Sequence, residues 1–126
     1  MISRMFAMLL CVCLCLSVCV ESRAEVRSYR DAYYASLEQK KPLIVIISSD
    51  RCPWCVRQKL ELRDADFAVV AEINLTEEPT YSRHFKASVV PTMYVYGVDR
   101  KLIGKVEGFR LKEGLRRMIL ARRVAE

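Results

Sequence analysis

Leu43-Ile44-Val45-Ile46-Ile47-Ser48-Ser49-Asp50-Arg51-Cys52-Pro53-Trp54-Cys55 decides the reading of this chain. Its first five residues are apolar and mostly β-branched, with no alternation, so they predict a strand buried on both faces, as in a parallel sheet. Ser48-Ser49-Asp50 reads as a loop, and a helix is expected over about 53–63, opening on C-x-x-C. Side chains three apart at a helix start lie on one side, about 5–6 Å from each other, within disulfide reach. The unpaired N–H groups and partial positive charge of a helix N-terminus favour a thiolate. Pro53 fits the first turn, where its missing N–H costs nothing. Arg51, Arg57 and Lys59 add positive charge nearby. Strand, short loop, C-x-x-C and helix follow in the order a dithiol redox site needs. Cys52 is the expected nucleophile, and Cys55, set deeper in the turn, the resolving cysteine.

Two blander readings carry less. A disulfide across so short a loop hardly restricts the unfolded chain, so it would add little stability. A zinc site wants about four ligands, and beyond residue 24 the chain offers only Cys52, Cys55 and His84. No metal and no cofactor is expected, and His84 reads as a surface residue.

Outward from this stretch, residues 27–40 read as a helix with Tyr29, Tyr33 and Leu37 recurring four apart, closed by Lys40-Lys41-Pro42. Phe67–Leu75 reads as a second buried strand. Thr76-Glu77-Glu78-Pro79 looks like a helix start, with Thr76 as cap and the helix running to about Lys86. Thr92–Tyr96 and Lys101–Glu107 form a hairpin across the turn Gly97-Val98-Asp99-Arg100. Arg110–Arg123 is the last helix, with Leu111, Leu115, Met118 and Ile119 on one face. The expected class is α/β, in the order α-β-α-β-α-β-β-α. The early βαβ units favour a parallel sheet, and the late hairpin adds an antiparallel edge. The tyrosines Tyr29, Tyr33, Tyr34, Tyr94 and Tyr96 read as core and core edge.

The chain has 126 residues, 52% of them hydrophobic and 29% charged, which bounds it to one small folded domain and excludes a disordered or fibrous protein. Four of the six cysteines (Cys11, Cys13, Cys15 and Cys19) lie in one apolar run, Met5–Val20, preceded by Arg4. The run ends at Glu21-Ser22-Arg23-Ala24, with small residues where a signal peptidase reads, so residues 1–24 are expected to be a cleaved signal peptide and 25–126 the domain. An uncleaved signal anchor, or a lipid anchor at Cys19, is the alternative. Loss of Arg4, Glu21 and Arg23 lowers the formal net charge from +6 to +5. Export implies an oxidising compartment where a cysteine pair can be disulfide-bonded. The ending Arg123-Val124-Ala125-Glu126 is no ER-retention signal, which favours a bacterial periplasm. The basic residues of the last helix (Arg110, Lys112, Arg116, Arg117, Arg122 and Arg123) read as a solvated face; no nucleic-acid motif accompanies them, so no nucleic-acid partner is expected.

Cys52-Pro53-Trp54-Cys55, with Val90-Pro91-Thr92 downstream, resembles the thioredoxin superfamily over nearly all of residues 25–126. By itself Pro91 is an ordinary trans proline at the start of a strand. The resemblance makes it the cis-proline of a segment that faces the cysteines and binds extended substrate through Val90. Val70–Leu75 with Glu78-Pro79 looks like the family's third-strand region, and Gly108 matches a glycine near its substrate groove. The fold implied is thioredoxin-like, a mixed four-stranded sheet flanked by helices. The activity implied is exchange with protein thiols and disulfides through a Cys52–Cys55 disulfide. Electrons would come from a membrane thiol donor, with no stable membrane insertion of the domain.

The departures from the family bear on direction. Arg51 stands where thioredoxins have Trp, and Pro53-Trp54 where they have Gly-Pro, a pair more like glutaredoxins and DsbA-type oxidants. Ile46 replaces a buried aspartate, and Glu72 replaces that aspartate's lysine partner. A strand before the first helix is not evident. Glu72, if it lies beneath the cysteines, becomes the proton acceptor for Cys55; otherwise it is a strand-end residue in solvent. Trp54 is expected to stand exposed beside Cys52 and touch substrate, the alternative being packing within its own helix. The domain has no room for the inserted helical domain of DsbA-type oxidants, which favours a reductase of envelope or secreted proteins. A disulfide-donating oxidase, or a copper-binding or chaperone module using the same thiols, are the alternatives.

Overall fold

The computed structural model describes residues 25–125. The elements are β1 (Arg27–Ser28), α1 (Tyr29–Gln39), β2 (Leu43–Ser48), α2 (Pro53–Leu62), β3 (Val69–Asn74), a 3₁₀ segment (Pro79–Arg83), β4 (Thr92–Tyr96), β5 (Leu102–Glu107) and α3 (Lys112–Ala125). The five strands lie side by side in the order β1-β3-β2-β4-β5. β1 and β2 flank β3 in parallel, while β4 and β5 add an antiparallel hairpin. The signal peptide expected over residues 1–24 and the four cysteines within it lie outside the described residues. Among the described residues no helix is long and apolar enough to cross a membrane.

β2 occupies the centre, and all six of its residues are buried. Its side chains alternate between two apolar layers, as strand geometry requires. Ile44 and Ile46 join Val70, Met93, Val95 and Val106 beneath α2 and α3, which contribute Leu62, Leu115 and Ile119. Leu43, Val45 and Ile47 join Val69, Ala71, Ile73 and Tyr94 beneath α1, with Phe85 from beyond the 3₁₀ segment. A strand buried on both faces has no polar alternation to show, which is why Leu43–Ile47 reads as one apolar run.

The sheet has five strands where four were expected. The extra one, β1, is only two residues long, and both are polar and exposed. It pairs through its backbone, Arg27 with Ala71 and Ser28 with Glu72, so it leaves no hydrophobic pattern to read. Ser28 at once becomes the N-cap of α1, accepting from Asp31 N. The helix expected over 76–86 is absent. Glu77 and Glu78 N–H groups turn back onto the Asn74 carbonyl, and only five residues from Pro79 form 3₁₀ turns. Tyr81 and Phe85 are the only large apolar residues over 76–86, a single pair four apart rather than a face, and they tie the segment to Tyr29.

The faces of the outer helices also differ from expectation. α1 buries Ala32, Ala35 and Ser36, small residues that let it approach the sheet. Tyr33, Tyr34 and Leu37 are exposed. Tyr29 and Tyr96 are partly buried, and burial raises both phenol pKa values above 10.0, helped by neighbouring tyrosines. α3 begins at Lys112, so Leu111 precedes it and is exposed, whereas Leu115 and Ile119 are buried.

Candidate active site

β2 ends at Ser48, and the loop beyond it is tied to the end of β3. Leu75 N donates to Ser48 O, Asp50 N to Thr76 Oγ1 at 3.0 Å, and Asn74 Nδ2 to Asp50 Oδ1 at 2.8 Å. Thr76 therefore holds this loop and caps no helix. Arg51 completes the turn with φ of 58°, delivering the chain to α2 in a fixed direction.

Cys52 is the N-cap residue of α2, extended at φ −113° and ψ 96°, with Pro53 in the first turn. The Cys55 N–H points at Cys52 Sγ at 3.2 Å. In most helices a side-chain oxygen fills that position; here a sulfur does, where N–H groups and the helix dipole favour negative charge. Cys52 and Cys55 are disulfide-bonded, with Cα atoms 5.2 Å apart. Their exposure differs in the way stepwise exchange needs: Cys52 is partly exposed, and Cys55 is 2% exposed. Among the described residues, no cluster of three or more His, Cys, Asp or Glu side chains could hold a metal ion. His84 is exposed beyond the 3₁₀ segment.

Across from the sulfurs lies the start of β4. The Val90–Pro91 peptide is cis, and Val90 O is 3.8 Å from Cys52 Sγ, placed to accept from the thiol once the disulfide is reduced. Thr92 Oγ1 donates to Val89 O at 2.6 Å. Gly108 N donates to Pro91 O at 2.8 Å, and Gly108 has φ of 81°. Nothing lies within 4 Å of a Cβ built there, so the backbone conformation, not space, calls for glycine. Val90, Pro91, Gly108 and the cysteines thus meet at one end of the sheet.

Trp54 is 52% exposed. Its ring meets Phe109 at 5.6 Å between centroids and carries the Arg57 guanidinium at 4.9 Å. Phe109, which sequence reasoning missed, reaches the site because Gly108 turns the chain after β5. Gln58, also missed, holds it there. This fully buried side chain donates from Nε2 to Arg110 O at 2.9 Å and accepts from Arg110 N at 2.7 Å. Glu61, one turn further on, accepts from Lys112 N at the start of α3.

Glu72 lies on the other flank of α2. It pairs with Ile46 in the register of β2 and β3, so its side chain is on the α2 side of the sheet. Glu72 Oε2 is 2.7 Å from Lys59 Nζ and accepts from Ser48 Oγ at 3.1 Å. The carboxylate is thus one-quarter exposed and ion-paired, neither sealed in an apolar strand nor free in solvent. Lys59 and Ser48 also line an open cleft of about 510 Å³ whose wall includes Cys52, Cys55, Val56 and Asn74.

No protein-family model and no curated protein sequence matches the chain. Solved structures do match. A thioredoxin from Thermus thermophilus superposes with a TM-score of 0.60 at 20% identity, covering 82% of this chain and 88% of that one. Chloroplastic thioredoxin z gives 0.64 at 20% identity over 79% of this chain and 93% of its own. Thioredoxin F from spinach chloroplast gives 0.60 at 18% identity over 79% and 96%. At these identities the likeness is one of architecture: the chain has the thioredoxin fold, and its own disulfide-bonded cysteine pair lies at the N-terminus of α2.

Proposed function

We propose that this protein is an exported thiol–disulfide oxidoreductase that reduces disulfides of envelope or secreted proteins, with residues 1–24 removed as a signal peptide. The observation that carries the chemistry is the asymmetry of the pair. Cys52 Sγ caps α2, is partly exposed and faces the Val90 carbonyl, while Cys55 is buried behind it. In the reduced protein the Cys52 thiolate attacks one sulfur of a substrate disulfide; the other leaves as a thiolate, and a mixed disulfide forms. Cys55 then loses its proton, and its thiolate attacks Cys52 Sγ. The second substrate thiolate leaves, two electrons have passed to the substrate, and Cys52–Cys55 is oxidised. We assign the Cys55 proton to Glu72, through the cleft wall that Cys55 shares with Lys59 and Ser48. Val90 and Pro91, with Gly108 behind them, would present a backbone edge to an extended substrate, and Trp54 would cover its side chain.

Two observations favour reduction over oxidation. The connection from β3 to β4 holds only a 3₁₀ segment and no inserted domain. Lys59, one of the cations beside the motif, is neutralised by Glu72 and so does less to stabilise a thiolate. A membrane thiol donor would return electrons to the pair. The test is trapping. Cys55→Ala should accumulate mixed disulfides through Cys52, whereas Cys52→Ala should form none; equal trapping by both variants would overturn the assignment.

A further inference from the structure

Three contacts, joined through the chain, close a ring around the reactive sulfur. Cys52 Sγ faces Val90 O, Pro91 O accepts from Gly108 N, Phe109 meets Trp54, and Trp54 is two residues from Cys52. One sector of that ring is aromatic and cationic. Arg57 lies over the exposed face of Trp54, which itself abuts Phe109. The nearby acids are engaged by other donors: the exposed Asp50 takes the Asn74 amide and the partly buried Glu61 takes the Lys112 N–H. Among the described residues Arg51 and Arg57 make no ion pair, while Lys59 on the opposite flank of the helix does. A guanidinium held over a ring, with its N–H donors unengaged, is placed to take a carboxylate.

We propose that Trp54, Phe109 and Arg57 form a substrate subsite that selects, next to the disulfide to be reduced, a large apolar side chain accompanied by an Asp or Glu. The inference rests on the oxidoreductase reading and names its preferred protein substrate. The apolar side chain covers the Trp54–Phe109 pair, and the carboxylate meets Arg57. Gln58 acts as the positioning residue, since its two hydrogen bonds to Arg110 fix the segment that carries Phe109. A neutral patch would discriminate by size alone; this one discriminates by charge as well.

The test uses the pre-reduced protein in single turnover with disulfide peptides that differ only beside the cysteine: Phe-Glu, Phe-Lys and Ala-Glu. Each rate is divided by that variant's rate with the symmetrical disulfide of 2-mercaptoethanol. Exposed ion pairs are modest, so the Phe-Glu peptide should react about two- to fivefold faster than Phe-Lys at low salt, and the gap should close as salt shortens the Debye length. Arg57→Glu should invert that ratio, whereas Arg63→Glu, at the far end of the same helix, should leave it standing. Phe109→Ala should erase the advantage of Phe-Glu over Ala-Glu. Equal peptide rates in the unmodified protein, or a shift with Arg63→Glu as large as with Arg57→Glu, would overturn the subsite while leaving the oxidoreductase reading intact. Failure to reduce the small disulfide as well would bring down both.

Discussion

Replacing Gln58 by Met keeps the volume and removes the polar clamp between α2 and the loop behind the active site. Gln58 is 0% exposed, and its amide meets both backbone groups of Arg110, at 2.9 and 2.7 Å. A thioether can replace neither bond. A backbone group left unpaired in a buried place costs about 1–3 kcal/mol. The Arg110 side chain is exposed, so water can partly repair the loss, and the two groups together should cost about 2–4 kcal/mol. That is a large share of the roughly 5–15 kcal/mol expected for a domain of this size, and corresponds to a fall in Tm of about 10–25 °C. Urea titration followed by far-UV circular dichroism measures it. Gln58→Glu supplies a second reading. Its carboxylate can accept from Arg110 N but cannot donate to Arg110 O, whereas its protonated form can do both. Burial should therefore raise the new carboxyl above the usual value of about 4.3. The folded state then holds the extra proton, and stability falls as pH rises from about 4 through the folded value. A loss below about 0.5 kcal/mol in Gln58→Met, or a flat pH profile in Gln58→Glu, would refute the clamp.

Three other outcomes follow from the same contacts. Glu72→Gln removes the partner of Lys59 and the proposed acceptor for Cys55, so the resolving step should slow by about tenfold or more near neutral pH, with the loss shrinking at higher pH where Cys55 ionises unaided; an unchanged pH–rate profile would remove Glu72 from the mechanism. Gly108→Ala meets no atom within 4 Å but must hold φ near 81°, so it should cost about 1–2 kcal/mol by urea titration without other disruption. Burial raises the phenols of Tyr29 and Tyr96, so the folded chain keeps protons the unfolded chain releases near pH 10. That contribution is complete below pH 10 and is lost as pH rises through the folded values; urea midpoints across this range should fall less steeply in Tyr29→Phe.

What the chain discloses and what it hides follow from the range of each interaction. Leu43–Ile47 followed by Cys52–Cys55 is a local signal: an apolar run too short for a helix, a loop, then a capped helix start. The central strand and the disulfide site were legible for that reason. Ala32, Ala35 and Ser36 carry little hydrophobic signal, so the tyrosines of α1 looked like its inner face although they flank the contact. Thr76 with two acids imitates a helix start because an N-cap and a loop anchor use the same hydroxyl; only the position of Asp50 N, 26 residues away, distinguishes them. Glu72 stood out as a charge in an apolar strand, but its partners Lys59 and Ser48 come from two other elements. Gln58 reaches Arg110 across 52 residues, and Phe109, the residue before Arg110, meets Trp54 from about as far along the chain. No local pattern marks either one.

The reduction potential of the Cys52–Cys55 pair tests the reductase assignment most directly. It is measured by equilibration in dithiothreitol or glutathione redox buffers, with Trp54 fluorescence as the readout. A reductase should show a single two-electron transition near about −270 mV, in the range of thioredoxin. A transition near about −120 mV, in the range of DsbA, would mean that the reduced pair is the stable one and that the protein donates its disulfide, contradicting the reductase assignment.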